Sequence, residues 1–115
     1  MSSVQDKSLY AQYVAERTGD HVLETEHGFA LYRYISENRV YIVDIYVEPL
    51  FRKSGLASEM ADQIAAEAKA KGCTEMIGSV VPSTKGSTTS LKVLLGYGFE
   101  LLSSTNDIIF FKKEL

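Results

Sequence analysis

Between Arg39 and Val81 the chain reads as a strand, a basic turn holding a glycine, a helix and a second strand. This succession narrows the choice of fold more than any other part of the sequence. Arg39–Val47 gives the strongest strand signal, rich in β-branched and aromatic residues. Leu56, Met60, Ile64 and Ala68 then recur at four-residue spacing through an alanine-rich stretch, which predicts a helix over Leu56–Lys71. Lys69 and Lys71 suit its last turn, and Gly72 its end. Glu75–Val81 predicts another strand, stopped by Pro82. A strand, a crossover helix and a strand place both strands parallel in one sheet. Ligands of such sheets collect beyond the carboxyl ends of the strands, where the segment VEPLFRKSGLA, Val47–Ala57, falls. The first turn of a helix has unpaired N–H groups, and its dipole favours negative charge. Arg52-Lys53-Ser54-Gly55-Leu56-Ala57 is thus a candidate phosphate cradle.

The flanking segments complete a mixed sheet. Ser3–Arg17 predicts a helix, with Ser3 and Asp6 as an acidic variant of a capping box, Val4, Leu9, Tyr13 and Val14 near helical spacing, and Gly19 as the stop. Strands at His21–Thr25 and Phe29–Ile35 meet at His27-Gly28, and Ser36–Asn38 turns into the strand at Arg39, so an antiparallel meander is expected. Beyond Pro82, Ser83–Thr89 reads as a polar loop and Ser90–Leu95 as a short apolar helix. Phe99–Ser103 and Ile108–Lys113 read as a hairpin across Asn106 and Asp107. At 115 residues this is one domain, residues 1–115, of the α/β (α+β) class.

The net charge of −3 argues against a general nucleic-acid binder, which wants a basic face. The single cysteine, Cys73, excludes an internal disulfide and fits a reducing compartment. No apolar run reaches membrane-spanning length and the start lacks a leader pattern, so a cytoplasmic protein with no membrane partner is expected. His21 and His27 show no metal-ligand spacing. Both are read as structural, Cys73 as a buried non-nucleophile, and no metal is expected.

The cradle resembles the pyrophosphate-binding loop of the GNAT superfamily of acetyl-CoA-dependent N-acetyltransferases. That loop follows the pattern Arg/Gln-x-x-Gly-x-Gly/Ala, met here by Arg52, Gly55 and Ala57. Gly98-Phe99, opening a strand after a short apolar helix, resembles a second signature of the family. Val43-Asp44-Ile45-Tyr46-Val47-Glu48-Pro49 is similar to its fourth strand, whose end splays from the fifth. The resemblance covers roughly residues 21–115 and implies a mixed sheet of about six strands, an antiparallel meander plus a splayed parallel pair, with flanking helices. Ser87 stands where the family often has asparagine, and Leu94 where many members have a tyrosine that protonates the leaving thiolate.

The resemblance implies transfer of an acetyl group from acetyl-CoA to an amine. Backbone N–H groups of Lys53, Ser54, Gly55, Leu56, Ala57 and Ser58 would bind the pyrophosphate, with Arg52 and Lys53 supplying charge, at roughly 1.5–3 kcal/mol per charged hydrogen bond. The backbone of Ile45, Tyr46 and Val47 would pair with the pantetheine arm, the Val47 N–H acting as oxyanion donor. Strict alternation along the strand puts Tyr41, Val43, Ile45 and Val47 on one face and Ile42, Asp44, Tyr46 and Glu48 on the other. Asp44, Glu48 and Tyr46 are then the candidates for base or water relay. For the acid, Ser90 lies a turn before Leu94 and Tyr97 lies three residues after it, and a thiolate with pKa near 8.5 can also leave unaided. Ser87 and Ser90 are further candidates for cofactor contact.

The acceptor side looks open, so a second copy in a homodimer or a peptide substrate would complete it. A rival reading, motivated by Leu94 and Ser87, is a domain of the same fold that binds CoA or a protein partner without catalysis.

Overall fold

The computed structural model describes residues 8–115. The chain runs α1 (Leu9–Thr18), β1 (His21–Glu24), β2 (Gly28–Ser36), β3 (Arg39–Val47), a 3-10 turn (Pro49–Phe51), α2 (Leu56–Ala70), β4 (Glu75–Val80), α3 (Ser87–Tyr97), β5 (Glu100–Thr105) and β6 (Ile108–Glu114). Six strands form one sheet in the order β1-β2-β3-β4-β6-β5. All neighbours are antiparallel except β3 and β4, which α2 joins as a parallel pair. The expected mixed sheet is therefore present. Among the described residues no helix is long and apolar enough to cross a membrane.

The core lies between α2 and one face of the sheet. Met60, Ile64 and Ala68 of α2 are buried there against Ala30 and Tyr32 of β2, Val40 of β3 and Met76 of β4. The three α2 residues fall on one stripe because four-residue spacing is only slightly more than one helical turn. Tyr32 donates to both Glu67 oxygens at 3.0 Å and Tyr34 donates to Oε2 at 2.5 Å, so one carboxylate ties α2 to β2. Burial first, and Glu67 second, push both phenols well above the usual tyrosine range. On the other face α1 covers β1 and the start of β2, where Tyr10 meets Phe29 edge-on at 5.4 Å.

Several element bounds differ from the sequence expectation. Ser3, Val4 and Asp6 lie outside the described residues, and the cap seen is Ser8, whose hydroxyl accepts from the Ala11 N–H at 3.0 Å. Ser87–Thr89 belong to α3 and not to a loop, since Gly86 at φ 84° starts the helix without needing a side-chain cap. The helix also runs on to Tyr97 before Gly98 ends it. Cys73 is buried but precedes its strand, and β5 begins one residue after Phe99.

Strict alternation along β3 is the expectation that fails. Leu31 pairs with Asp44 but Tyr32 pairs with Ile42, leaving Val43 as a bulge. Val40, Ile42, Ile45 and Val47 consequently all join or flank the core, and Arg39, Tyr41, Asp44 and Tyr46 share the opposite face. Ile42 therefore leaves the face of Asp44, and Tyr41 joins it.

Two measurements follow from this packing. A Cβ on Gly28 would lie 2.4 Å from the Tyr46 carbonyl oxygen and 3.2 Å from the Val47 Cα, both backbone. Gly28→Ala should thus lose about 1–3 kcal/mol in urea unfolding. The raised phenols of Tyr32 and Tyr34 stabilise the fold fully below the ordinary tyrosine pKa of about 10, and that stabilisation is lost as the pH rises beyond it. Unfolding free energy measured between about pH 8 and 11 should fall above about pH 10, and less steeply in Tyr34→Phe.

Candidate functional site

The parallel pair is short. β3 and β4 are in register at Arg39–Glu75, Val40–Met76 and Tyr41–Ile77 only. Beyond these positions β4 continues along β6 to Val80, while β3 continues along β2 to Val47. The two strands splay, and the β4-facing edge of β3 is open from Ile42 onward.

Glu48 N–H donates to the His27 carbonyl at 2.9 Å, and His27 lies opposite Glu48 in the same register that pairs Gly28 with Val47. Opposed residues in antiparallel pairs alternate between bonded and non-bonded types. Tyr46 and Asp44 therefore turn their backbone groups to β2, and Val47 and Ile45 turn theirs to the open edge. The expected donor, the Val47 N–H, faces the splay, and the Ile45 N–H joins it.

Behind the edge is a narrow apolar cleft with about 30 Å³ of free volume. Ile42 and Ile45 of β3, Ala57 and Ser58 of α2, and Leu94 and Tyr97 of α3 are among its walls. Leu94 packs over Gly78 of β4. The Tyr97 hydroxyl donates to Asp62 Oδ1 of α2 at 2.5 Å, and the Lys113 ammonium sits 5.2 Å from the Tyr97 ring centre. Burial first, then the bond to Asp62, raise the phenol above its usual range.

The cleft opens toward the start of α2. Gly55 caps this helix at φ 90°, and no side chain caps it, so its first N–H groups are left for solvent or a ligand. Lys53 is also left-handed, at φ 65°. Ser54 donates to the Phe51 carbonyl at 2.5 Å, which closes the turn locally. Arg52 Nε donates to the Val47 carbonyl at 2.8 Å, and its guanidinium lies 5.6 Å from the Tyr46 ring centre. The arginine thus braces the turn against the end of β3.

The other expected residues are spread around this centre. Asp44 is exposed, with no hydrogen-bond or ion-pair partner among the described residues. Glu48 is instead held by His27, Nδ1 to Oε2 at 2.8 Å, and the His27 ring stacks on Phe51 at 3.4 Å. Ser87 donates to the Pro82 carbonyl at 2.8 Å, and Ser90 is exposed. Sequence reasoning missed the His27–Glu48 pair, although an antiparallel return from His27-Gly28 already sets them opposite each other. It also missed Asp62, for which the sequence carries no signal.

An open strand edge thus leads to an uncapped helix start, in a mixed sheet with one splayed parallel pair. Residues 5–93 match the sequence profile of the acetyltransferase (GNAT) family, and the chain belongs to that family. Among solved structures it is similar to a GNAT family acetyltransferase from Elizabethkingia anophelis with acetyl-CoA bound. The identity is 18%, the TM-score 0.69, and 95% of this chain and 83% of that one are covered. It is also similar to the PaiA N-acetyltransferase of Thermoplasma acidophilum in complex with coenzyme A, at 14% identity and TM-score 0.73 over 96% of this chain and 71% of that one. The ribosomal-protein-S18-alanine N-acetyltransferase of Escherichia coli aligns at 16% identity and TM-score 0.64, over 90% of this chain and 75% of that one. No curated protein matches the chain by sequence.

Gly55 isolates the contribution of the cradle. A Cβ there meets nothing within 4 Å, so Gly55→Ala is strained by its backbone alone. The variant should lose about 1–2 kcal/mol of stability and bind CoA more weakly in calorimetric titration.

Proposed function

We propose that this protein transfers an acetyl group from acetyl-CoA to an amine. The observation that carries the reading is the continuous run of outward N–H groups, from Ile45 and Val47 at the open edge to the uncapped first turn of α2. That run suits a ligand with a peptide-like arm and an anionic end. Lys53–Ser58 hold the pyrophosphate through backbone N–H groups, and the charges of Arg52 and Lys53 sit beside it. Ile45, Tyr46 and Val47 present the strand edge to the pantetheine amides. The Ile45 and Val47 N–H groups are fixed in place before any charge develops, which is the condition for oxyanion stabilisation. When bound, acetyl-CoA supplies the thioester carbonyl; the chain supplies orientation and charge.

Asp44 is the base in this reading. Its carboxylate is exposed and unpaired, so it can take a proton from an amine directly or through water. Glu48 is engaged with His27 and acts on the shape of the turn. Deprotonating a lysine-like amine costs about 4–5 kcal/mol at pH 7 and an α-amine only about 1. Tyr97 lines the cleft and is the candidate acid, and Ser90 remains accessible on the same helix. A cytoplasmic location, with the lone Cys73 reduced and buried, belongs to the same proposal.

A second reading rests on α3. Leu94 places no hydroxyl over β4, and the Tyr97 hydroxyl is already engaged by Asp62, which suits a domain that binds CoA without turning it over. Acetyl-CoA titration followed by thiol release against an amine panel separates the two. Transfer predicts turnover that falls about 10²-fold or more in Asp44→Ala, with CoA affinity unchanged. Binding with no turnover supports the second reading, and no CoA binding defeats both. Arg52→Glu should weaken CoA binding at least tenfold, because it reverses the charge beside the helix start and removes the brace to Val47.

A further inference from the structure

The face of the sheet away from α2 holds a second, open depression of about 470 Å³, which the acetyl-transfer reading does not use. Its floor and sides are Ile35, Tyr41, Ile77, Leu102 and Phe110, with Arg33 and Arg39 at the rim. None of these residues is acidic. Arg33 is spent on the buried Asp20, Nε to Oδ1 at 2.6 Å and an Nη to Oδ2 at 3.2 Å. Arg39 gives only its Nε to Glu75 Oε1, at 2.7 Å, and Glu75 is shared with Lys112 at 3.8 Å. Asp44, Glu100 and Glu114 share this sheet face with Asp20 and Glu75, so the face as a whole carries no positive surplus, and what the depression offers an anion is the pair of terminal nitrogens of the half-exposed Arg39.

One hydrogen bond marks where this depression meets the splay. The Tyr41 hydroxyl lies 2.6 Å from Ser79 Oγ. Tyr41 is in the last β3–β4 pair, and Ser79 is two residues beyond its partner Ile77, so the bond spans the two strands just where their backbones part. Each hydroxyl keeps further donor or acceptor capacity.

We propose that this depression is the acceptor site and that it takes an α-amino acid with a bulky apolar side chain. The proposal rests on the acetyl-transfer reading and names its substrate class. The apolar floor receives the side chain, and the terminal nitrogens of Arg39 receive the carboxylate in a planar, two-point contact. Tyr41 and Ser79 hold the amine at the narrow end of the splay. Arg39 and Tyr41 are two residues apart on one strand face, about 7 Å, which one amino acid bridges with a hydrogen bond at each end.

Calorimetric titration of the CoA-bound protein with phenylalanine, phenylalanine amide and spermidine tests this without turnover. Phenylalanine should bind at least tenfold more tightly than either of the others. Arg39→Met should remove that preference for the free carboxylate. Leu102→Glu, which leaves both ion pairs intact and adds a like charge to the site, should weaken phenylalanine binding at least tenfold while CoA binding stays unchanged. Tyr41→Phe should raise KM for phenylalanine and leave KM for acetyl-CoA unchanged. Equal binding of the acid and the amide, tighter binding of spermidine, or an indifferent Leu102→Glu variant would overturn the acceptor class. If CoA still binds and spermidine still drives thiol release in that case, acetyl transfer stands alone. Loss of CoA binding in the wild-type protein overturns both.

Discussion

The candidate site depends on how early the β3–β4 ladder stops. Parallel strands joined by a helix ordinarily stay paired along their length, because each unpaired N–H and C=O must otherwise find another partner. Here the ladder ends at Tyr41 and Ile77. The bulge at Val43 follows immediately, and a bulge bends and twists its strand locally. Each strand keeps its other neighbour, so the sheet survives the opening. The freed groups on β3 then face a cleft walled by α2 and α3.

The basic turn is held by bonds of quite different kinds at its two ends. At its start, His27 is bonded to Glu48 and stacked on Phe51. Near its middle, Arg52 bonds to the last carbonyl of β3 and lies against Tyr46. Glycine completes it, in a conformation that side chains resist. Arg52 thereby performs two tasks, since a guanidinium can donate in one direction and carry its charge in another. At the far end of α2, Glu67 and its two tyrosines fix the helix to β2, so the helix cannot slide away from the turn.

Much of this was readable from the residues. The crossover unit followed from the spacing of Leu56, Met60, Ile64 and Ala68 between two strand-like runs, and the turn that starts α2 followed from Gly55. What escaped was set by long-range pairing. Period-two reasoning placed Ile42 beside Asp44, because nothing in YIVDIYV marks Val43 as the surplus residue; only the register against β2 reveals it. The start of α3 was misplaced for a local reason, since Ser87–Thr89 look like loop residues and are helical after Gly86. Asp62 was invisible because its role requires knowing that α3 returns across α2.

Val43 also bears on how such a site can be lost. Deleting it would cost the chain one partly exposed valine and restore regular alternation, with every apolar contact of β3 still in reach. The ladder to β4 would then be free to lengthen, and pairing would consume the groups that the cleft now leaves open. Selection for stability alone would therefore erode this region, and the irregularity marks where another demand on the chain has outweighed it. One residue fewer would make a more regular sheet with no open edge on β3.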